Sequence, residues 1–220
     1  MPVASTNMRP FLQPCSQSLR LFTRPVLSHS KQIARVSIAN MSTGVPPSSG
    51  LDIATKHITT APGIKLSSEQ ETIVGSVLDL FAGKPTLQKL ALWRDDATFV
   101  DPITIAEGRD RYAAQWYGLE AAFSEIDQIN HQVKDAGNPI LLDLRSKYVI
   151  KGINKEQLIQ SEVAIHLDEQ GKIKKVEDKW NGKLPDGPIS NAFRHLNAFT
   201  VPKFVSVPKN AEEEAQRNKQ

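Results

Sequence analysis

The chain has 220 residues, 40% of them hydrophobic, which is enough to bury one sizeable core. Its net charge of +3 is unevenly placed: residues 1–50 carry Arg9, Arg20, Arg24, Lys31 and Arg35 and no acid, while residues 51–220 hold 22 Lys and Arg against 24 Asp and Glu. The body is therefore slightly acidic and lacks the basic balance of a nucleic-acid-binding protein, and no apolar run approaches the roughly 20 residues needed to span a bilayer as a helix.

The first 40 residues are Arg-bearing, Ser-rich and acid-free, with Leu19, Leu21, Phe22, Val26 and Leu27 between the charges. A cationic amphipathic stretch of this kind responds to membrane potential and anionic lipid, so residues 1–40 read as a mitochondrial transit peptide and the expected compartment is the matrix. A disordered basic tail is the alternative. Met41 offers a start for a shorter cytosolic form. The single cysteine, Cys15, falls inside the presumed signal and leaves the body without a disulfide or a thiol nucleophile.

Residues 41–63, opening with "MSTGVPPSSG", read as a linker, with the folded domain expected over 64–184. In "SSEQETIVGSVLDLFAGKP", Ser68 and Glu71 fit a capping box, Ile73, Val74, Val77, Leu78 and Phe81 form an apolar stripe, and Gly83 and Pro85 stop the helix. A short second helix is expected at about 86–93, then a brief strand in "ATFVDP", then a third helix from Arg109 carrying Tyr112, Trp116, Leu119 and Phe123. After it the period changes to two. Four strands follow: one with Ile129, His131 and Val133 on one face, one with Leu142, Leu144, Ser146, Tyr148 and Ile150, one with Ile159, Ser161, Val163, Ile165 and Leu167, and one with Val176, Asp178 and Trp180. Short turns between alternating strands predict an antiparallel sheet with one face covered by the three helices, an α+β fold. In residues 185–220, a short helix with Ile189, Phe193, Leu196 and Phe199, an extended "VPKFVSVPK" arm and a solvated charged tail are expected. The arm packs on its own domain or serves a homodimer.

This element order, the Phe99-Val100-Asp101-Pro102 junction followed by Gly108, and the strand ending "VEDKW" resemble the nuclear transport factor 2-like superfamily, including its polyketide-cyclase-like (SnoaL-like) members. The resemblance implies a cone-shaped roll in which a curved sheet wraps the helices around a pocket. The superfamily includes isomerases, dehydratases, cyclases and epoxide hydrolases as well as proteins that only bind or pair, so the fold does not choose a reaction.

Alternation sorts the polar residues by side. His131, Ser146, Tyr148, Ser161 and Asp178 fall among apolar residues on the inferred inner face, and buried polar groups need partners. His131 and Asp178, with Tyr148 beside them, form the expected acid–base group, because a carboxylate raises the basicity of a histidine while apolar walls oppose its charge. A satisfied buried pair is the structural alternative. Tyr112, Trp116, Trp180, Trp93, Ser146 and Ser161 are the expected ligand-binding lining, with core packing the ordinary reading of the aromatic residues. Asp101 is first a turn residue, whose carboxylate accepts backbone N–H groups beyond Pro102, and second a candidate catalyst. No paired His/Cys spacing, HExxH, Gly-rich phosphate loop or GxSxG is present, so no metal or cofactor is indicated. Two functions follow: a pocket for a small apolar molecule, or a cofactor-independent isomerase, dehydratase or cyclase.

Overall fold

The computed structural model describes residues 51–152, 154–182 and 205–217. Helix α1 spans Ser68–Phe81 and a single turn, α2, spans Leu87–Leu90. Strands β1 (Trp93–Asp101) and β2 (Thr104–Glu107) form a hairpin ahead of helix α3 (Arg109–Ala122). Four strands follow, β3 (Phe123–Asp135), β4 (Ile140–Ile150), β5 (Glu156–Leu167) and β6 (Ile173–Trp180), and the described chain ends in helix α4 (Ala211–Arg217). The expected α+β class holds, but the helical layer is two full helices and one turn. The "TIAE" strand β2 was not anticipated, because four residues are too few to show alternation.

The six strands form one curved sheet in the order β2-β1-β6-β5-β4-β3. It is not wholly antiparallel, as the short turns suggested: β1 lies parallel to β6, with Phe99 opposite Val176 and Val100 opposite Glu177. That pairing joins the first half of the domain to its last strand. Along β4 the predicted inner set, Leu142, Leu144, Ser146, Tyr148 and Ile150, is buried, and Ile140 extends it by one position. In β3 a bulge between Gln128 and Asn130 interrupts the alternation, so Ile129 is left half exposed while Val133 is fully buried.

The capping box of α1 lies one residue earlier than expected. Ser67 Oγ accepts the Gln70 N–H, and Gln70 Oε1 accepts the Ser67 N–H. At the other end, Gly83 (φ +70°) and Lys84 return N–H groups to Leu80 and Asp79, a Schellman closure. A Cβ on Gly83 would also meet Ile126 Cδ1 at 2.8 Å, so glycine is required there twice over.

Residues 51–63 are not a free linker, because the chain there is folded onto the body. Thr59–Ala61 pairs with Val133 on the β3 edge, and Leu51, Ile58, Ile64 and Leu66 pack against the core. The segment crosses α1 at Gly75, where an added Cβ would come within 2.9 Å of Ile53 Cγ2. It is fastened by Asp79, which accepts the N–H groups of Ala54 (2.7 Å) and Thr55 (3.0 Å) and the Thr55 hydroxyl (2.8 Å), and pairs with Lys89 (2.9 Å). This second cover explains why α1 is buried around its whole circumference from Thr72 to Phe81 rather than along one stripe.

The expected helix at 189–199 lies outside the described residues. Of the arm, Val205 and Pro208 are buried and Val207 packs on the core, which favours packing on its own domain over pairing. The charged tail is solvated, as expected, with no buried residue, but it forms a helix that is docked through Glu214 and Arg217. Glu214 accepts the Tyr117 hydroxyl (2.7 Å) and the Leu87 N–H (2.8 Å), and Arg217 sits 5.0 Å from the Tyr117 ring centroid and pairs with Glu120. Tyr117→Phe is expected to cost about 1.5 kcal/mol in urea unfolding and to raise amide exchange across α4. Unchanged exchange there would show that α4 is held by something else.

Candidate functional site

A pocket opens between the concave face of the sheet and helices α1 and α3. Helix α1 supplies Phe81, and α3 supplies Gln115, Trp116 and Leu119. Strand β4 contributes Leu144, Ser146 and Tyr148 at successive inward positions, and β5 contributes Ile159 and Ser161. Phe99 and Asp101 enter from β1, Asp178 and Trp180 from β6. Water centres can occupy about 30 Å³ of it, and the unfilled space including the mouth is about 470 Å³. Asp101, Ile159 and Trp180 are partly exposed and mark the mouth, while Gln115, Trp116, Ser146 and Tyr148 are buried behind them.

The expected pair of His131 and Asp178 is not brought together. His131 is opposite Leu144 on β4, whereas Asp178 is opposite Val163 on β5, so strands β4 and β5 intervene and the separation across the sheet is about 14 Å. His131 serves the N-terminal segment: its Nε2 accepts the Thr59 N–H at 3.2 Å, which requires the neutral ring. Partial burial lowers its pKa below 6.5, and a hydrogen bond to the His57 backbone offsets part of this. The unfolded chain therefore takes up a proton more readily than the folded one. Stability from this contact is present above pH 6.5 and is lost as pH falls below it. The Thr59 amide is expected to lose exchange protection between pH 7 and pH 5 relative to its intrinsic rate, and pH-independent protection would contradict the assignment.

Asp178 instead finds a second acid. The parallel register of β1 and β6 sets Val100 opposite Glu177, and the next residue on each strand, Asp101 and Asp178, lines the same pocket, close enough for the Asp101 charge to act on Asp178. Asp101 keeps its turn role, Oδ1 accepting the Ile103 N–H at 2.8 Å, while also lining the pocket. Burial raises its pKa to about 6 against the downward pull of the Ile103 N–H and of the Thr104 hydroxyl and N–H. Asp178 is 7% exposed. Burial raises its pKa to about 7, Ser161 and Trp180 oppose the rise, and Asp101 adds to it. Its Oδ2 accepts the Trp180 Nε1–H at 2.7 Å, and its Oδ1 is enclosed without a hydrogen-bond partner among the described residues. Tyr148 is packed on Phe123, and burial with the nearby Asp178 charge holds its hydroxyl well above the ordinary tyrosine range.

Of the expected lining, Trp116, Ser146, Ser161 and Trp180 face the pocket, while Trp93 and Tyr112 do not. Those two stack on each other behind it at 5.0 Å, and the Tyr112 hydroxyl donates to the Arg94 carbonyl. Gln115 was missed because α3 is buried on all sides from Tyr112 to Leu119, which erases the polar face that would have set it apart. Its position four residues before Leu119, which lines the pocket, was the available signal. Phe81 and Phe99 clamp the Trp116 ring at 5.1 and 4.6 Å. Side-chain atoms enclosed without a partner concentrate here: Gln115 Oε1, Trp116 Nε1, Ser146 Oγ and Asp178 Oδ1 all belong to lining residues. Among the described residues no group of three or more His, Cys, Asp or Glu is placed to hold a metal, and no helix is long and apolar enough to cross a membrane.

No family model matches the chain, and no curated protein matches it. Its neighbours among solved structures are nuclear transport factor 2-like, ketosteroid isomerase-like and polyketide cyclase proteins. The chain is similar to a steroid delta-isomerase from Pseudomonas aeruginosa at 12% identity, covering 64% of this chain and 97% of that one with a TM-score of 0.48. It is also similar to a nuclear transport factor 2-like protein from Anabaena variabilis at 13% identity, with coverages of 56% and 97% and a TM-score of 0.47. A nuclear transport factor 2-like protein of unknown function from Exiguobacterium matches at 16% identity, with coverages of 50% and 99% and a TM-score of 0.42.

Proposed function

We propose that this protein binds a small, mostly apolar molecule in the pocket between the sheet and helices α1 and α3. The observation that carries the reading is the concentration there of buried polar atoms without partners, on walls that are otherwise aromatic and aliphatic. A buried polar atom left unpaired costs about 1–3 kcal/mol, and a ligand or ordered water that pairs it recovers part of that. Ile159 at the mouth provides the test. Ligand-detected NMR with small cyclic ketones, alcohols and amines is expected to find binders of the unaltered chain that Ile159→Trp excludes. Binders that ignore Ile159→Trp, or none at all, would overturn the reading.

A second reading is a cofactor-independent proton transfer of the isomerase or dehydratase type. The juxtaposition of Asp101 and Asp178 favours it, since acids titrating at about 6 and about 7 can give and take protons near neutral pH. The two aspartates take the place of the His131 and Asp178 pair. Deuterium incorporation next to the carbonyl of a bound ketone, lost in both Asp101→Asn and Asp178→Asn, is the expected signature.

A homodimer through the sheet finds less support. The large apolar residues left exposed, Ile105, Leu158 and Ile129, stand on β2, β5 and β3, and strands separate each from the others. Scattered residues of this kind do not make an interface patch. Delivery to the mitochondrial matrix belongs to the same proposal, supported by the five basic and no acidic residues among the first 50. N-terminal sequencing of the protein from fractionated cells checks it, and an intact Met1 in the cytosol would exclude it.

A further inference from the structure

We infer that the pocket is shaped for the primary ammonium head of a small organic amine. The inference rests on the proposal that this pocket binds a small molecule, and it names the class. Among the described residues, two carboxylates, Asp101 and Asp178, are the only charged side chains lining the cavity. No Lys, Arg or His from α1, α3, β1, β4, β5 or β6 lines it to balance them. Ion pairs elsewhere in the molecule show the contrast. Asp79 is met by Lys89 and three further donors, whereas Asp178 has the Trp180 N–H and Ser161 but no cation among the described residues. A buried acid without a counter-charge is a standing cost that a bound cation relieves.

Three features select an ammonium among cations. The aromatic wall of Phe81, Phe99, Trp116, Tyr148 and Trp180 offers ring faces, which attract a desolvated cation. Among the described residues, the lining acceptors without a hydrogen-bond partner are Asp178 Oδ1, Gln115 Oε1 and Ser146 Oγ, and a primary ammonium carries three donors. The third feature is size. The enclosed part of the cavity is small, about 30 Å³, which suits a compact –NH3+ head better than a bulkier one. The rest of the ligand lies toward the mouth, against Ile159 and Trp180. An anionic ligand is disfavoured by both carboxylates, and a neutral alcohol offers one donor to three acceptors.

Butylamine, butanol and butanoate are isosteric probes for the full chain, with ligand-detected NMR at pH 8 as the readout. Butylamine is expected to bind at least about tenfold more tightly than butanol, and butanoate not measurably. Asp178→Asn, checked for an unchanged near-ultraviolet circular dichroism spectrum, is expected to bring amine and alcohol to within about twofold. Glu156→Gln, on an exposed acid, is the control and keeps the preference. Equal binding of butanol and butylamine by the unaltered chain would overturn the ammonium inference while leaving the pocket as a binding site. Loss of the preference in Glu156→Gln, or its survival in Asp178→Asn, would overturn the inference alone. Absence of binding by all three probes would overturn the inference and the binding proposal together.

Discussion

Asp178→Asn is expected to melt at a higher temperature than the unaltered chain at pH 8 and at the same temperature at pH 4. The pKa of the buried Asp178 carboxyl rises from 3.8 to about 7, so the folded chain holds this proton more tightly than the unfolded chain does. Between those values the folded state binds more protons, and stability therefore falls as pH rises through the window. The rise corresponds to about 4 kcal/mol of stability at most, present below pH 3.8 and lost once pH passes 7. Asparagine never ionises, retains an oxygen for the Trp180 Nε1–H and escapes that loss. For a chain of this size the gain at pH 8 is on the order of 10 °C. A melting temperature for Asp178→Asn that is lower than the unaltered chain's at pH 8 would place the carboxylate in a favourable contact instead, and would count against a dry pocket.

Asp79→Ala carries the largest expected loss. Asp79 and Lys89 are 0% and 3% exposed at their side chains, and removing one partner leaves the other charge buried without compensation. Such changes cost about 3–5 kcal/mol. Here the loss extends to the Ala54 and Thr55 N–H groups, so the segment over α1 is released as well. Urea unfolding should show a lower midpoint, and hydrogen exchange should rise at Ala54, Thr55 and the Thr59–Ala61 pairing before the sheet opens. Lys89→Met is the informative companion, because an apolar chain of similar length removes the second charge and Asp79 still holds three donors. Asp79→Ala is expected to cost clearly more than Lys89→Met. Equal losses would mean that the anchoring of the N-terminal segment contributes little.

The contrast between these two aspartates explains what the sequence could reveal. Strands β4, β5 and β6 were legible because one covered face forces alternation, and the predicted inner residues Ser146, Tyr148, Ser161, Asp178 and Trp180 all face the pocket. The proline turn after Asp101 and the break at Gly83 were legible because each depends on local backbone chemistry. His131 failed as a partner for Asp178 for a different reason. Alternation gives the side of a sheet but not the order of strands across it, and β3 is three places from β6. The true neighbour, Asp101, depends on a parallel contact between residues about 77 apart, and "FVD" and "VED" carry no local mark of that pairing. Gln115 and the docking of α4 were hidden for one shared reason. When a helix is covered on both sides, its periodicity vanishes, and α3 is covered by the sheet and by the Glu214 and Arg217 contacts to Tyr117.

The central claim is that Asp101 and Asp178 share one poorly hydrated pocket. A carbon-detected NMR titration of the aspartate side-chain carboxyls tests it most directly, with Asp101→Asn and Asp178→Asn to assign the two signals. Midpoints of about 6 for Asp101 and about 7 for Asp178 are expected, with the Asp178 midpoint falling when Asp101 is replaced. Both carboxyls titrating near 4, each indifferent to loss of the other, would contradict it.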